Sequence, residues 1–205
     1  MGYWNERTAE IPWLKENLSK GNCLDIGSCE SAYIDILLEA GPTTRIDLPS
    51  RPFSDIKCKV ILEDIRNLSP QKIGLFDNVL LIGSLEHMGP SGYFIKKFED
   101  KTPFVEQKRI FFHSFGFVKE KGFLYLTVPV GKYEDLGWIL NWTLEFIEEI
   151  KSHYQVEKED YFSLNKNHSA YERVNGEEIP LVELEKKDFN GAVRAYSVAC
   201  LKLKK

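Results

Sequence analysis

The stretch Gly21-Asn22-Cys23-Leu24-Asp25-Ile26-Gly27-Ser28-Cys29-Glu30-Ser31 decides how the rest of the chain is read. A short apolar run ends in an acid, a glycine turn follows, and a helical pattern begins at Ser31. A buried parallel strand that passes through a tight turn into a helix leaves a backbone pocket at the strand's carboxyl end, where α/β sheets bind ligands. The segment therefore asks which nucleotide-like cofactor sits in that pocket.

Working outward, strands and helices alternate. The pattern predicts an N-terminal helix over 6–19, with Pro12 in its first turn. It then predicts a strand over Asn22–Ile26, a helix over Ser31–Ala40 stopped by Gly41-Pro42, and strands over Thr44–Leu48 and Val60–Leu62. Asp77–Ile82 is almost continuously apolar, as suits a strand buried on both faces. Residues 88–101 read as a loop or lid. Thr102-Pro103 opens a helix whose Phe104, Phe111, Phe112 and Phe115 share an apolar face. Gly122–Val128, ended by Pro129, Tyr154–Asp160 and Ala195–Leu203 complete seven strands. A helix over Thr143–Ser152 and an irregular, substrate-side segment over 163–192 fill the remainder. The pattern predicts a mostly parallel, Rossmann-like α/β sheet with helices on both faces. No helical pattern separates the last two strands, so the final strand is expected to be antiparallel, at the sheet's edge.

The 205 residues suffice for a single domain, read here as 1–205. A formal charge of -4 leaves no basic footprint for nucleic acid. No apolar run approaches the roughly 18–20 residues that span a bilayer, and no signal peptide is visible at the start, so the expected location is cytoplasmic. Cys23, Cys29, Cys58 and Cys200 lack metal or disulfide spacing, and no metal is expected. The oligomeric state is not legible.

Dinucleotide folds use Gly-x-Gly-x-x-Gly so that a pyrophosphate can approach the backbone. Here Gly27 is followed by Cys29 and Ser31, and no phosphate-binding loop is present. A cofactor without phosphates fits better, and S-adenosylmethionine is one. Its ribose diol, adenine amine and ammonium all favour acids and carbonyls. Asp25 closes the first strand. Asp47 closes the second, about twenty residues after the turn, where a ribose diol lies. Asp64 follows the third, with Ile65 beside it to cover a ring face. Each acid alone is as well explained as a helix cap or a solvated side chain; three at successive strand ends are not.

As a set, these motifs resemble the class I S-adenosylmethionine-dependent methyltransferases of the small single-domain kind, the type 11 methyltransferase domain. Leu24-Asp25-Ile26-Gly27-Ser28 resembles the family's first motif, Ile46-Asp47-Leu48 its ribose-binding acid, and Asp64-Ile65-Arg66 its adenine-side motif. Phe76-Asp77-Asn78-Val79 through Ser84-Leu85-Glu86-His87-Met88-Gly89 resembles the fourth-strand motif, and 117–129 the stretch before and through strand five. The resemblance implies a seven-stranded methyltransferase sheet. It implies cofactor contacts from Asp25, Gly27, Ser28, Cys29, Asp47, Leu48, Asp64, Ile65, Gly83 and Ser84. Glu6-Arg7, Ile11-Pro12-Trp13 and Thr127-Val128-Pro129-Val130-Gly131 are most similar to members associated with surface-glycan biosynthesis. Cys29 and Ser31 depart from the family's glycines.

Methyl transfer needs alignment, and an oxygen acceptor also needs a base. His87 is the candidate base, with Glu86 to orient it or hold the acceptor hydroxyl. The alternative is that His87 packs the turn. Tyr93, Trp138 and Trp142 are candidate substrate residues, with lid exposure for Tyr93 and core packing for the tryptophans as the alternatives. Arg7 either covers the cofactor site or forms a surface ion pair. The expected activity is methyl transfer to a small-molecule or glycan acceptor, at oxygen. A non-catalytic partner that kept the fold and a nicotinamide-dependent reductase are the competing readings.

Overall fold

Cys23–Ile26 forms the first strand, β1, and all four residues are buried. The computed structural model describes residues 5–27, 32–49, 57–89, 92–93, 102–186 and 193–205, with the backbone alone at 92–93, 102–103, 185–186 and 193. β1 pairs in parallel with β2 (Thr43–Asp47) and with β4 (Phe76–Ile82). β2 pairs in parallel with β3 (Lys59–Leu62), and β4 with β5 (Val118–Val130). Beyond β5 the pairings are antiparallel: β5 with β8 (Ser197–Lys204), β8 with β6 (Gln155–Leu164), and β6 with β7 (Tyr171–Val174).

The sheet thus has eight strands, not seven, in the order β7-β6-β8-β5-β4-β1-β2-β3. The additional strand, β7, comes from the 163–192 segment, which is therefore not irregular throughout. Its central Glu172 and Arg173 are exposed, as an edge strand permits. The final strand β8 is antiparallel as expected, but it lies between β5 and β6 instead of at the rim. There it pairs on both flanks, which satisfies the backbone groups of three strands at once.

Among the described residues, five α-helices flank the sheet: α1 (Arg7–Asn17), α2 (Ile34–Ala40), the single turn α3 (Pro70–Ile73), α4 (Thr102–Phe115) and α5 (Leu144–His153). Val79 and Leu81 of β4 join one core with Phe111, Phe146 and Ile147 from α4 and α5. Leu80 and Ile82 join the other with Trp13, Leu14 and Leu37 from α1 and α2. This period-two alternation explains why β4 reads as an unbroken apolar run. Phe112 departs from the expected face and is 37% exposed. Pro12 lies inside α1, not in its first turn, and on the exposed side, where its missing N–H leaves a carbonyl that water can reach. β5 runs through Pro129, which the sequence marked as a terminator.

The carboxyl ends of β1, β2, β3 and β4 open onto one edge of the sheet. Gly27, Leu48, Glu63 and Gly83 are the residues that follow them.

Candidate functional site

The first cleft at that edge is lined by Gly27, Asp47, Leu48, Asp64, Ile65 and Met88, among others. Gly27 leaves β1 at φ +74, and a Cβ there would come within 2.7 Å of Met88 Cε and 2.9 Å of Ser84 Cβ. Both the backbone conformation and the close approach favour glycine. Asp47 ends β2, is buried, and its Oδ1 accepts the Leu48 N–H at 2.8 Å.

Asp64 caps the 3₁₀ turn Ile65–Asn67. Its Oδ1 accepts the Arg66 N–H and Nε–H, each at 2.9 Å, and its Oδ2 accepts from Nη2 at 2.5 Å. Those Arg66 bonds hold the Asp64 carboxyl below the usual carboxylate range. Arg66 also donates to the Gly89 carbonyl at 3.1 Å and to Glu106 of α4 at 2.9 Å. It therefore ties the acid to the Met88–Gly89 backbone and to α4. Three carboxylates, Asp47, Glu63 and Asp64, line the cleft, with Arg66 as the cation among the described lining residues.

A second cavity of about 160 Å³ lies at the end of β4, lined by Glu6, Arg7, Glu10, Glu86, His87 and Trp138, among others. Arg7 donates to the carbonyls of Ile82 (2.9 Å) and Gly83 (3.2 Å), and to Glu10 Oε2 at 3.0 Å. Gly83 has φ +52, and a Cβ there would stand 2.5 Å from Arg7 Nη1. Glu10 also accepts from the Thr127 hydroxyl at 2.6 Å, and Glu6 accepts the Ala195 N–H. Glu86 is buried, and its Oε2 has no hydrogen-bond partner among the described residues. Burial, reinforced by the negative charge of Glu10, pushes its carboxyl up to about 8.

His87 Nδ1 lies 2.7 Å from the Trp138 carbonyl, and the two rings stack at 5.7 Å with an 8° tilt. A carbonyl only accepts, so Nδ1 carries the proton and Nε2 is the basic nitrogen of the neutral ring. Nε2 is 3.9 Å from Glu86 Oε1.

The structure brings Gly27, Asp47, Leu48, Asp64 and Ile65 to the first cleft, and Gly83, Glu86, His87 and Trp138 to the second. Ser84, which lines neither, lies against Gly27. It is buried, and its Oγ has no partner among the described residues. Asp25 is placed otherwise than expected: it shares the α1/α2 face of β1 with Cys23, accepts the Tyr33 hydroxyl at 3.0 Å, and is not among the cleft-lining residues. It acts on the site through charge, within Coulombic reach of Arg7. Trp142 is fully buried, packs on Phe146, and donates Nε1–H to Gln107 at 2.6 Å. That removes it from any acceptor surface, whereas Trp138 is 43% exposed at the rim. Ser28 and Cys29 lie outside the described residues. Tyr93 is placed by its backbone alone, in a short ribbon pairing Met88–Gly89 with Gly92–Tyr93. Arg7 stands over the end of β4 in the second cavity and not in the first cleft, and its ion pair is with the buried Glu10 and not at the surface.

Sequence reasoning missed Glu10 and Arg66. The signal for Glu10 is an acid on the buried side of α1, one turn from Arg7 and beside Trp13 and Leu14. For Arg66 it is a cation two residues after a capping acid, poised to close back on it.

No family model matches the chain, and no curated protein matches its sequence. Solved structures do match its shape. An N-methyltransferase of Bradyrhizobium japonicum, NodS, solved with S-adenosylhomocysteine, is 13% identical, with 98% of this chain and 86% of that one covered at a TM-score of 0.56. The 1,6-didemethyltoxoflavin-N1-methyltransferase of Burkholderia thailandensis, solved with 1,6-didemethyltoxoflavin and S-adenosylhomocysteine, is 14% identical, covering 96% and 76% at 0.56. An S-adenosylmethionine-dependent methyltransferase of Archaeoglobus fulgidus is 14% identical, covering 97% and 91% at 0.54. At these identities the likeness establishes the fold, that of the class I methyltransferases.

Proposed function

We propose that the chain binds S-adenosylmethionine and transfers its methyl group to a small-molecule acceptor. The observation that carries the reading is the convergence of Gly27, Asp47, Asp64 and Ile65 on one cleft at the strand ends. The donor set fits this cofactor. Three carboxylates face one arginine that is already bonded to Asp64 and Glu106, which suits a cationic nucleoside and opposes a diphosphate. Ser84 Oγ, beside Gly27, supplies a further buried polar atom.

Asp47 would hold the ribose hydroxyls and Ile65 would cover a ring face, with Asp64 beside it. When bound, the cofactor supplies a methyl group activated by a sulfonium. The chain's own part is orientation and proton handling. His87 Nε2 takes the proton of an acceptor hydroxyl, and the Nδ1–H bond to the Trp138 carbonyl steadies the imidazolium that results. The exposed area of Trp138 offers a surface on which an acceptor ring can stack, and a glycan precursor would supply both ring and hydroxyl. No helix among the described residues is long and apolar enough to cross a membrane.

Calorimetric titration with S-adenosylmethionine, S-adenosylhomocysteine and NAD tests the reading. Both sulfur nucleosides should bind and NAD should not. Absence of binding by either sulfur nucleoside would remove the proposal.

A further inference from the structure

The second cavity contains more acid than its structural bonds require. Glu10 is held by Arg7 and Thr127, and Glu6 accepts from the Ala195 backbone. Arg7 directs its guanidinium at two carbonyls and at Glu10. Glu86 has a fully buried carboxylate oxygen, Oε2, without a partner among the described residues, and its side chain is 7% exposed. His87 makes no hydrogen bond to this carboxylate, since its Nδ1 is bound to a carbonyl and its Nε2 stands 3.9 Å from Oε1. A buried carboxyl left unsatisfied is costly, and such groups persist where a ligand completes them.

We propose that the acceptor carries a protonated amine, and that this ammonium docks against Glu86 in the cavity beside His87 and Trp138. The word acceptor rests on the methyltransferase reading above; the amine site itself does not. A neutral hydroxyl would give Glu86 a hydrogen bond and leave the charge balance unchanged. An ammonium gives the bond and also balances charge. The charged groups acting on Glu86 are Glu10 and Arg7 of α1 and Glu6 before it. Asp25 of β1 acts on the same Arg7. Against these acids Arg7 is the permanent cation, with His87 adding charge only when protonated. Burial and Glu10 together keep Glu86 protonated near neutrality, and an arriving cation would draw it into its ionised form. Trp138, stacked on His87 at the rim, supplies an aromatic wall of the kind that favours cations.

The test follows the Glu86 carboxyl by carbon NMR against pH, assigned by its loss in Glu86→Gln. The protein is studied alone and saturated with S-adenosylhomocysteine. Methylammonium chloride is the probe, with potassium chloride at equal ionic strength and methanol as controls. Methylammonium should lower the Glu86 midpoint saturably, by about one pH unit or more, while the controls leave it in place. Proton release on adding methylammonium, read by calorimetry in two buffers of different ionisation heat, gives the same answer without any variant. No shift, or an equal shift with potassium, would overturn the proposal. So would a full shift with S-adenosylhomocysteine alone, because the cation would then be the cofactor's own ammonium. Failure of S-adenosylhomocysteine to bind would instead remove the methyltransferase reading, and the methylammonium result on the protein alone would still decide the amine site.

Discussion

Replacing Glu86 with Gln removes a titrating group from the second cavity and keeps its size. The carboxyl is shifted from an ordinary value of 4.5 to about 8 by burial first and Glu10 second. A folded-state pKa above the unfolded one means that the folded chain binds the proton more tightly. The corresponding stability is fully present below about pH 4.5 and is lost as pH rises through 8. In the wild type each pH unit in that window removes up to about 1.4 kcal/mol. Between about pH 5.5 and pH 8.5 the loss sums to about 3 kcal/mol as an upper bound. Gln is neutral throughout, so the variant lacks this dependence, and other titrating groups cancel in the difference. Urea denaturation of both proteins at several pH values measures it. The wild type should fall behind the variant progressively as pH rises, with similar stabilities near the acid end. A difference that stays flat with pH would refute the assignment of Glu86 as a neutral buried carboxyl.

Three further outcomes follow from the geometry. Gly27→Ala should destabilise the protein by about 1–3 kcal/mol, because a side chain at φ +74 is strained and meets Met88 and Ser84; an unchanged denaturation midpoint would show that the turn relaxes freely. Trp142→Ala should cost about 3–5 kcal/mol while Trp138→Ala costs little, since only the first is enclosed; thermal melts that show equal losses would contradict that placement. Arg66→Met should lower stability by about 1–2 kcal/mol at neutral pH, a value discounted for partial exposure. As pH falls through the depressed pKa of Asp64 the wild type should lose this advantage, so denaturation curves that stay equally separated in acid would deny the pair its role.

What the sequence made legible is what local pattern can encode. β1 and β4 are short runs rich in apolar residues followed by a glycine, and β2 and β3 end at or just before an acid, so both the strands and the cleft residues Gly27, Asp47 and Asp64 could be read directly. β7 could not, because an edge strand with exposed Glu172 and Arg173 carries no apolar alternation. The antiparallel sense of β8 followed from the missing crossover helix, whereas its place between β5 and β6 depends on pairings distant in sequence. Asp25 was within reach of the period-two rule, which sets it on the Cys23 side of β1 and away from the first cleft. Trp138 and Trp142 are four positions apart in a short irregular ribbon. Only the bridge from Val130 to Trp142 sends one inward and leaves the other at the rim. The acid cluster around Arg7 joins α1 to the end of β4, a contact that no local spacing announces.

In the proposed reading, the first cleft holds S-adenosylmethionine through Asp47. Calorimetric titration of S-adenosylhomocysteine into the wild type, Asp47→Ala and Asp77→Ala tests it most directly. Asp77 lies at the opposite end of β4, bonded to Asn22 and Lys119, and serves as an acid remote from the cleft. S-adenosylhomocysteine should bind the wild type and Asp77→Ala. Asp47→Ala should lose about 1–3 kcal/mol, roughly fivefold to 150-fold in affinity. Equal affinity in all three proteins, or no binding to the wild type, would contradict it.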